Sequence, residues 1–468
     1  MLLPRSLSTP TPPASFLARH GLTLLAGFLL ASLALFAGFS AFSYEIWLWT
    51  VLLLAVAAGL AVVAAVFLRP LERPGRTWLV LALALGLGAR LAPTSTRNMT
   101  STDALRYVWD GKVLAHGINP YAHAPDSHAL DHLRTDPIDH LVNAPQVRTP
   151  YPPLAEAVFL GAYALTPGRL LGYQLLNLLA EISAWFLLLG LLGRLGLPRS
   201  RILLLAWAPL LVVEGYLPGH TEVLALPLLC LLVAAMLERR PVAAGLSLAA
   251  ACLIKPLALV FLPAVARELG WRRTGVLLAV LAATLAAAYA PFLLWGGHSH
   301  WGPMALMAEK WSFNGTVAPL LGVVLPDYAA RIAAFGGMLA LVVAGAFLGR
   351  DFVSRCLLAL TAVVVMSPVL FSWYVIWIVP FVVLRPDPAA LALALLVPLT
   401  DIVAVNVYLH HTFDPPLWST LAVFVPFYAL LAAGWARKWG MFARPLASDH
   451  GMEDSTTASF GGERERRS

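Results

Sequence analysis

The chain alternates long apolar blocks with short polar joints, and that pattern sets most of its architecture. Gly21 to Tyr44 contains no Asp, Glu, Lys or Arg, and neither does Ile46 to Leu68. A bilayer core about 30 Å thick needs about 20 helical residues, so each block is long enough to span. Comparable blocks continue to Ala436. The pattern predicts an all-α chain: a polytopic transmembrane helical bundle with a large first extracytoplasmic loop that carries short interfacial helices.

Short loops rich in Lys and Arg stay on the cytoplasmic side, which orients the blocks. With residues 1–20 inside, Gly21 to Ala41 runs out, Ile46 to Leu68 returns, and Arg69, Arg73 and Arg76 form a cytoplasmic loop. Thr77 to Pro93 exits and leaves a large external loop over 94–153. Leu154 to Thr166 is too short to cross, so 154–166 reads as a helix lying at the outer interface. Arg169 to Leu192 enters ahead of Arg194, Arg199 and Arg201; Ile202 to Leu217 exits; Glu222 to Leu237 returns to Arg239 and Arg240. Val242 to Ala266 begins and ends at arginine loops, so a single crossing violates the charge rule. Lys255-Pro256 at its middle predicts two half-helices that rise, meet near the outer surface and descend, a break that needs a wet or protein-lined cavity. The same reasoning puts Ser372-Trp373-Tyr374 at an outer turn between Arg355 and Arg385. Thr274 to Trp295 exits, Tyr328 to Leu348 enters, and Ala389 to Leu409 with Leu417 to Ala436 leaves 437–468 inside. The total is about fourteen crossings or half-crossings. The first block reads as a retained anchor rather than a cleavable signal, and the polar tail as disordered.

Composition narrows the class. The chain is 59% hydrophobic and 12% charged with a mean hydropathy of +0.77, against roughly 25% charged residues in a soluble domain. A soluble enzyme is excluded. The net charge of +7 is spread as short arginine groups between apolar blocks, which topology explains, so no nucleic acid partner is expected. Cys230, Cys252 and Cys356 lie in or beside apolar segments and show no metal spacing. The histidines placed on the outer side are His116, His123, His128, His132, His140, His220, His298, His300, His410 and His411. They match no HExxH or comparable pair, so neither a metal nor a cofactor is expected.

The chemistry concentrates on that outer side. Asp103 and Asp110 share one helical face with Arg106 between them. One reading is a local ion-pair ladder. The other is a carboxylate at the membrane surface that takes a proton from a hydroxyl, with Arg106 near a developing anion. Gly117-Ile118-Asn119-Pro120-Tyr121 and Tyr151-Pro152-Pro153-Leu154 are rigid aromatic turns that order the loop. Gly219-His220-Thr221-Glu222, Lys255 and Ser372-Trp373-Tyr374 converge there too. A lysine or histidine at that point can hold the phosphate of a lipid carrier; the alternatives are a snorkelling Lys255 and a solvated His220. Lys255 interrupts an otherwise continuous apolar segment, which favours function. Glu181, at mid-span, reads as an interhelical contact, while Asp401 and Glu214 lie nearer the outer ends of their spans and can line a cavity.

In order and common side, Asp103-Ala104-Leu105-Arg106-Tyr107-Val108-Trp109-Asp110-Gly111, Gly117-Ile118-Asn119-Pro120-Tyr121 and Tyr151-Pro152-Pro153-Leu154 resemble the integral-membrane GT-C superfamily of glycosyltransferases. Gly219-His220, Lys255-Pro256 and Trp373-Tyr374 with Trp377 and Pro380 extend the resemblance from Thr77 to Ala436. More narrowly the chain resembles bacterial polyprenol-phosphate-mannose-dependent α-mannosyltransferases of glycosyltransferase family 87. The resemblance implies a GT-C-like transmembrane domain over 21–436 in the cell membrane, with its active site on the extracytoplasmic side. It implies a polyprenyl-phosphate sugar donor arriving through the lipid bilayer, a glycan or glycolipid acceptor, and a loop carboxylate as base. Asp103 takes that role, with Asp110 as second choice. Arg106, Lys255 and His220 become candidates for binding the donor phosphate. The substrate-binding candidates are Tyr107, Trp109, Asn119, Tyr121, Tyr151, Glu222, Trp373 and Tyr374. Asp103 has no adjacent acidic partner, which counts against a metal-dependent mechanism. The rival classes are a secondary transporter or lipid flippase, which usually shows internal repeats, and an acyl transferase, for which no Ser or Cys nucleophile lies beside a base.

Overall fold

The computed structural model describes residues 16–38, 42–68, 76–95, 100–296, 312–410, 412 and 415–438. The segment 1–15, Arg69 and Arg73 of the first arginine loop, His298, His300, His411 and the tail from 439 onward lie outside the described residues.

The first three predicted spans are α1 (Phe16–Ala37), α2 (Tyr44–Phe67) and α3 (Arg76–Leu91). The large loop carries α4 (Asp103–Ala115), and α5 (Pro153–Leu165) starts on a proline whose missing N–H has no intrahelical partner to lose. Then come α6 (Leu171–Arg194), α7 (Leu203–Ala206), α8 (Glu222–Leu237), α9 (Pro241–Cys252), α10 (Leu262–Leu269) and α11 (Trp271–Leu294). The remainder is α12 (Val317–Val324), α13 (Asp327–Leu348), α14 (Phe352–Met366), α15 (Val379–Leu384), α16 (Pro388–Leu396), α17 (Val403–His410) and α18 (Leu417–Lys438). Among the described residues no strand forms, and eight helical stretches are long and apolar enough to cross a membrane. The protein is an all-α, multi-pass membrane bundle. Its helices are apolar on every face because one face meets protein and the other meets lipid; α11 buries only Leu277 and Leu281.

The breaks position the site. The half-helix pair forms as the sequence predicts: α9 ends at Cys252, Lys255 is extended, and a 3-10 turn over Pro256–Phe261 leads into α10. Ile202 to Leu217, by contrast, is no plain span. After α7 stops at Ala206, Pro209 has no N–H to donate, and Leu211–Tyr216 winds as a π-helical turn that holds Glu214. The block Ala389 to Leu409 is likewise interrupted, by a 3-10 turn over Val397–Ile402.

Two kinds of polar contact fix the ends of the bundle. The arginine-bearing turns gather at one end: Glu238 accepts from Arg194 at 2.6 Å and Arg240 at 2.8 Å, and Glu268 pairs with both Arg239 and Arg355. Glu238 follows α8, whose other end starts at Glu222, so the Glu222 end lies a helix length away. Inside the bundle, Arg90 pairs with Glu181 at 2.8 Å with both side chains fully buried. The same carboxylate accepts from Trp185 Nε1 at 3.0 Å and Tyr216 Oη at 2.7 Å. Glu181 is therefore the interhelical contact that its mid-span position suggests, with its lone pairs satisfied.

The loop helix α4 docks through a small aromatic core. Tyr107 stacks on Phe159 of α5 at 4.6 Å and meets Tyr151 edge-on at 5.1 Å. The helices approach so closely at Gly111 that a Cβ there would sit 2.3 Å from the Phe159 carbonyl oxygen. Beneath them Thr149 Oγ1 donates to the fully buried Glu156 at 2.6 Å, and Arg106 Nε holds Asp110 at 2.9 Å. Burial, followed by the neighbouring Asp110, pushes the Glu156 carboxyl well above the ordinary range.

Two outcomes are expected. Gly111→Ala lowers the melting temperature in detergent, through about 1–3 kcal/mol of overpacking, whereas Gly88→Ala, inside α3 with open space around its Cβ, does not lower it. Glu156 is ionised in the unfolded chain above about pH 4.3 but keeps its proton to higher pH when folded, so its contribution to stability declines as pH rises between those two values. Glu156→Gln removes that titration. Thermal melts should match wild type near pH 4 and exceed it increasingly toward alkaline pH.

Candidate functional site

At the Glu222 end of α8, the chain breaks and α4 surround one cavity of about 610 Å³. Asp103, Arg106 and Tyr107 reach it from α4, Asn143 and Tyr151 from the loop, Glu222 from α8, Lys255 from the break, and Trp373 and Tyr374 from the third turn. The three places that the sequence separates by more than a hundred residues each thus share one chamber.

Asp103 opens α4 with its side chain 26% exposed. Asn143 Nδ2 donates to its Oδ1, and its Oδ2 lies 4.0 Å from His220 Nε2. His220 follows Gly219, whose φ of +74° makes the tight turn and suits a residue without a Cβ. The imidazole is fully buried behind the cavity wall and stacks on Trp373 at 3.8 Å. Trp373 stacks in turn on Phe371 at 4.4 Å, so a ladder of rings fixes the plane of His220. Its Nδ1 lies 3.1 Å from the Glu214 carbonyl oxygen and 3.0 Å from Glu214 Oε2, with the better hydrogen-bond angle to the carbonyl. Burial holds the imidazolium below its ordinary pKa and favours the neutral ring. His220 is not a solvated loop residue.

Nor does Lys255 snorkel. Its Nζ pairs with Glu222 and stands 3.8 Å over the face of Tyr374. Two of the sequence candidates, one assigned to phosphate and the other to substrate, are thereby each other's partners. Arg106 lines the cavity while its Nε is held by Asp110, and its buried Nη2 has no hydrogen-bond partner. Only the lower half of the predicted ladder forms, Arg106 to Asp110, while Asp103 turns to Asn143.

Four candidates lie elsewhere. Asp110 is 2% exposed, beneath α4 rather than at the cavity. Trp109 packs with Val113, Leu130 and Leu133. Asn119 Nδ2 donates to the Phe292 carbonyl at 2.7 Å, and Tyr121 Oη donates to the Tyr151 carbonyl at 2.6 Å. These residues build the loop because each is drawn to a core or a backbone group. Conversely, Asn143, Arg331 and Phe371 line the cavity without having been singled out in the sequence. Phe371 merely extends the aromatic run before Ser372, and Arg331 is an arginine at the outer end of its predicted span, against the charge rule. Asn143 has no local signal, lying forty positions from the carboxylate that it holds. One wall is apolar: Tyr328, Ile332 and Phe335 of α13 line the cavity and are also 75%, 54% and 59% exposed on the bundle surface.

Residues 89–270 match the family described as alpha-(1->6)-mannopyranosyltransferase, N-terminal domain. The matched stretch runs from the end of α3 to the end of α10 and contains Asp103, His220, Glu222 and Lys255; the wall from α13 and the Trp373 turn lies beyond it. That description names mannosyl transfer and does not name glycosyltransferase family 87. No curated protein and no solved structure matches the chain. An enzyme fits the match and a transporter does not. The match supports a glycosyltransferase, and with its apolar helices the protein is a multi-pass membrane glycosyltransferase whose residues 89–270 resemble a mannosyltransferase N-terminal domain.

Proposed function

We propose that the protein transfers mannose from a polyprenyl-phosphate donor to an extracytoplasmic glycan or glycolipid, with Asp103 as the catalytic base. The observation that carries this reading is a part-exposed carboxylate in a chamber that is lined by three cationic side chains, Arg106, Lys255 and Arg331, and opens along an apolar helix face. Such a chamber suits a donor with one phosphate and a long hydrocarbon tail. Arg106 Nη2, buried and unpartnered, is a ready donor to a phosphate oxygen. Lys255 supplies a second positive charge, and the exposed Tyr328, Ile332 and Phe335 provide a greasy path from the bilayer.

The acceptor oxygen attacks the anomeric carbon as its proton passes to the Asp103 carboxylate. The bond from that carbon to the phosphate oxygen breaks, its electron pair stays on the oxygen, and polyprenyl phosphate leaves. The departing phosphate gains a negative charge, which Arg106 and Lys255 stabilise in a site where water screens poorly. Asn143 fixes one carboxylate oxygen, and aromatic faces at Tyr107, Tyr151, Trp373 and Tyr374 suit the apolar faces of a sugar ring.

The charge pattern supports the sidedness. The arginine-bearing turns cluster at the far end of α8 from the cavity, which supports a cytoplasmic location for that end and an extracytoplasmic chamber in the cell membrane.

Asp103→Asn should lower kcat by about 10²-fold or more, the usual range for a general base, with unchanged expression and melting temperature. Full turnover in that variant rules out the assigned base. Lys255→Met should lower kcat/KM for the polyprenyl-phosphate donor by about ten- to hundredfold, as for a lost hydrogen bond to a charged group. The loss should persist with every acceptor tried; an acceptor-specific loss contradicts a phosphate role.

A further inference from the structure

Behind Asp103 runs a line of buried polar groups that the transfer step above leaves unused. His220 Nε2, Glu214 Oε2 and Asp401 Oδ2 are buried without a hydrogen-bond partner, which native interiors avoid unless the groups have a task. They are neighbours. Asp103 Oδ2 is 4.0 Å from His220 Nε2, and His220 Nδ1 is 3.0 Å from Glu214 Oε2. Glu214 Oε1 is then 2.8 Å from Ser372 Oγ, which is 2.6 Å from Asp401 Oδ1. Ser372 has one hydroxyl hydrogen and two carboxyl neighbours, so it donates to one of them at a time and links the two.

We propose that His220, steered by Glu214 with Ser372 and Asp401, is a proton relay that receives the acceptor's proton through Asp103 and holds it until the product leaves. The relay rests on Asp103 being the base. Nδ1–H directed at Glu214 fixes the tautomer and leaves the Nε2 lone pair toward Asp103. The 4.0 Å gap closes with a small rotation of the part-exposed carboxylate. The O–H bond of the protonated Asp103 then breaks, the proton joins Nε2, and a carboxylate and an imidazolium remain. The imidazolium lies flat on Trp373 and faces Asp103 from α4, Glu214 from the π-helical turn, Glu222 from α8 and Asp401 from the 397–402 turn, with Lys255 opposing them. When the product leaves, the proton returns through Asp103 to water in the chamber. His220 and Glu214 act through Asp103 and are positioning residues.

The test measures kcat and donor KM against pH for the full-length enzyme in detergent, with polyprenyl-phosphate mannose and a synthetic mannoside acceptor. His220→Gln should lower kcat about tenfold or more with donor KM changed by less than about threefold. Glu214→Gln keeps the size and the acceptor oxygen of the side chain but removes the counter-charge of the imidazolium. It should lower plateau kcat by about tenfold and move the acidic limb of kcat to lower pH, because His220 then protonates less readily. In an Asp103→Asn background, His220→Gln should cost nothing more. Should His220→Gln fail to fold, Glu214→Gln decides. Wild-type kcat and an unmoved limb in Glu214→Gln, or an additive loss in the double variant, overturns the relay and leaves Asp103 as base untouched. Full activity of Asp103→Asn alone overturns the base and the relay with it.

Discussion

Backbone that leaves a helix inside an apolar bundle exposes N–H and C=O groups that lipid cannot satisfy. The structure depends on this constraint. The chain breaks at Leu211–Tyr216, at Lys255 and at Ser372–Ile378, and all three breaks lie against the same cavity or its wall. Grouping the breaks concentrates their cost in one polar place, and that place is where Asp103, Lys255 and the stacked Trp373 meet. The loop helix α4 closes the chamber because Gly111 lets it press onto α5 and because Arg106 pairs with Asp110 and Thr149 with Glu156 beneath it.

The low dielectric that makes those breaks expensive makes the charges inside effective. Lys255 is matched by Glu222 and Tyr374, Arg106 by Asp110, and Asp103 by Asn143. Each group is held in one position by its own partner, an arrangement that needs little reorganisation when charge shifts nearby. Glu181 with Arg90 uses the same physics for a different end: its carboxylate is fully satisfied and joins helices. Glu214 instead meets His220 and Ser372, and Asp401 meets Ser372, which ties both carboxyls to the wall of the chamber.

Apolar block length made the helices legible, and the charge rule made the half-helix pair around Lys255 legible, because a single crossing there would place arginines on both sides. The common location of Asp103, Lys255 and Trp373 was legible for the same reason. The break at Pro209 was not, since a continuous apolar run hides where hydrogen bonds fail. The partners were hidden as well. Nothing in the spacing reveals that Asn143 holds Asp103 or that Glu222 holds Lys255, because both contacts join segments far apart in the chain. Trp109, Asn119 and Tyr121 look like binding residues in a one-dimensional reading because aromatic and amide side chains serve loop architecture and ligand contact equally well.

The central claim is that one chamber on one side of the membrane holds the carboxylate, the lysine and the tryptophan turn, and that the donor fills it. The most direct measurement is thiol labelling of Asn143→Cys, Pro256→Cys and Ser367→Cys, all part-exposed at the cavity, in right-side-out membranes with an impermeant reagent, since Cys230, Cys252 and Cys356 are buried. The account predicts that all three label from the extracytoplasmic face and that polyprenyl-phosphate mannose protects all three together. Labelling from opposite faces, or no protection by the donor, contradicts it.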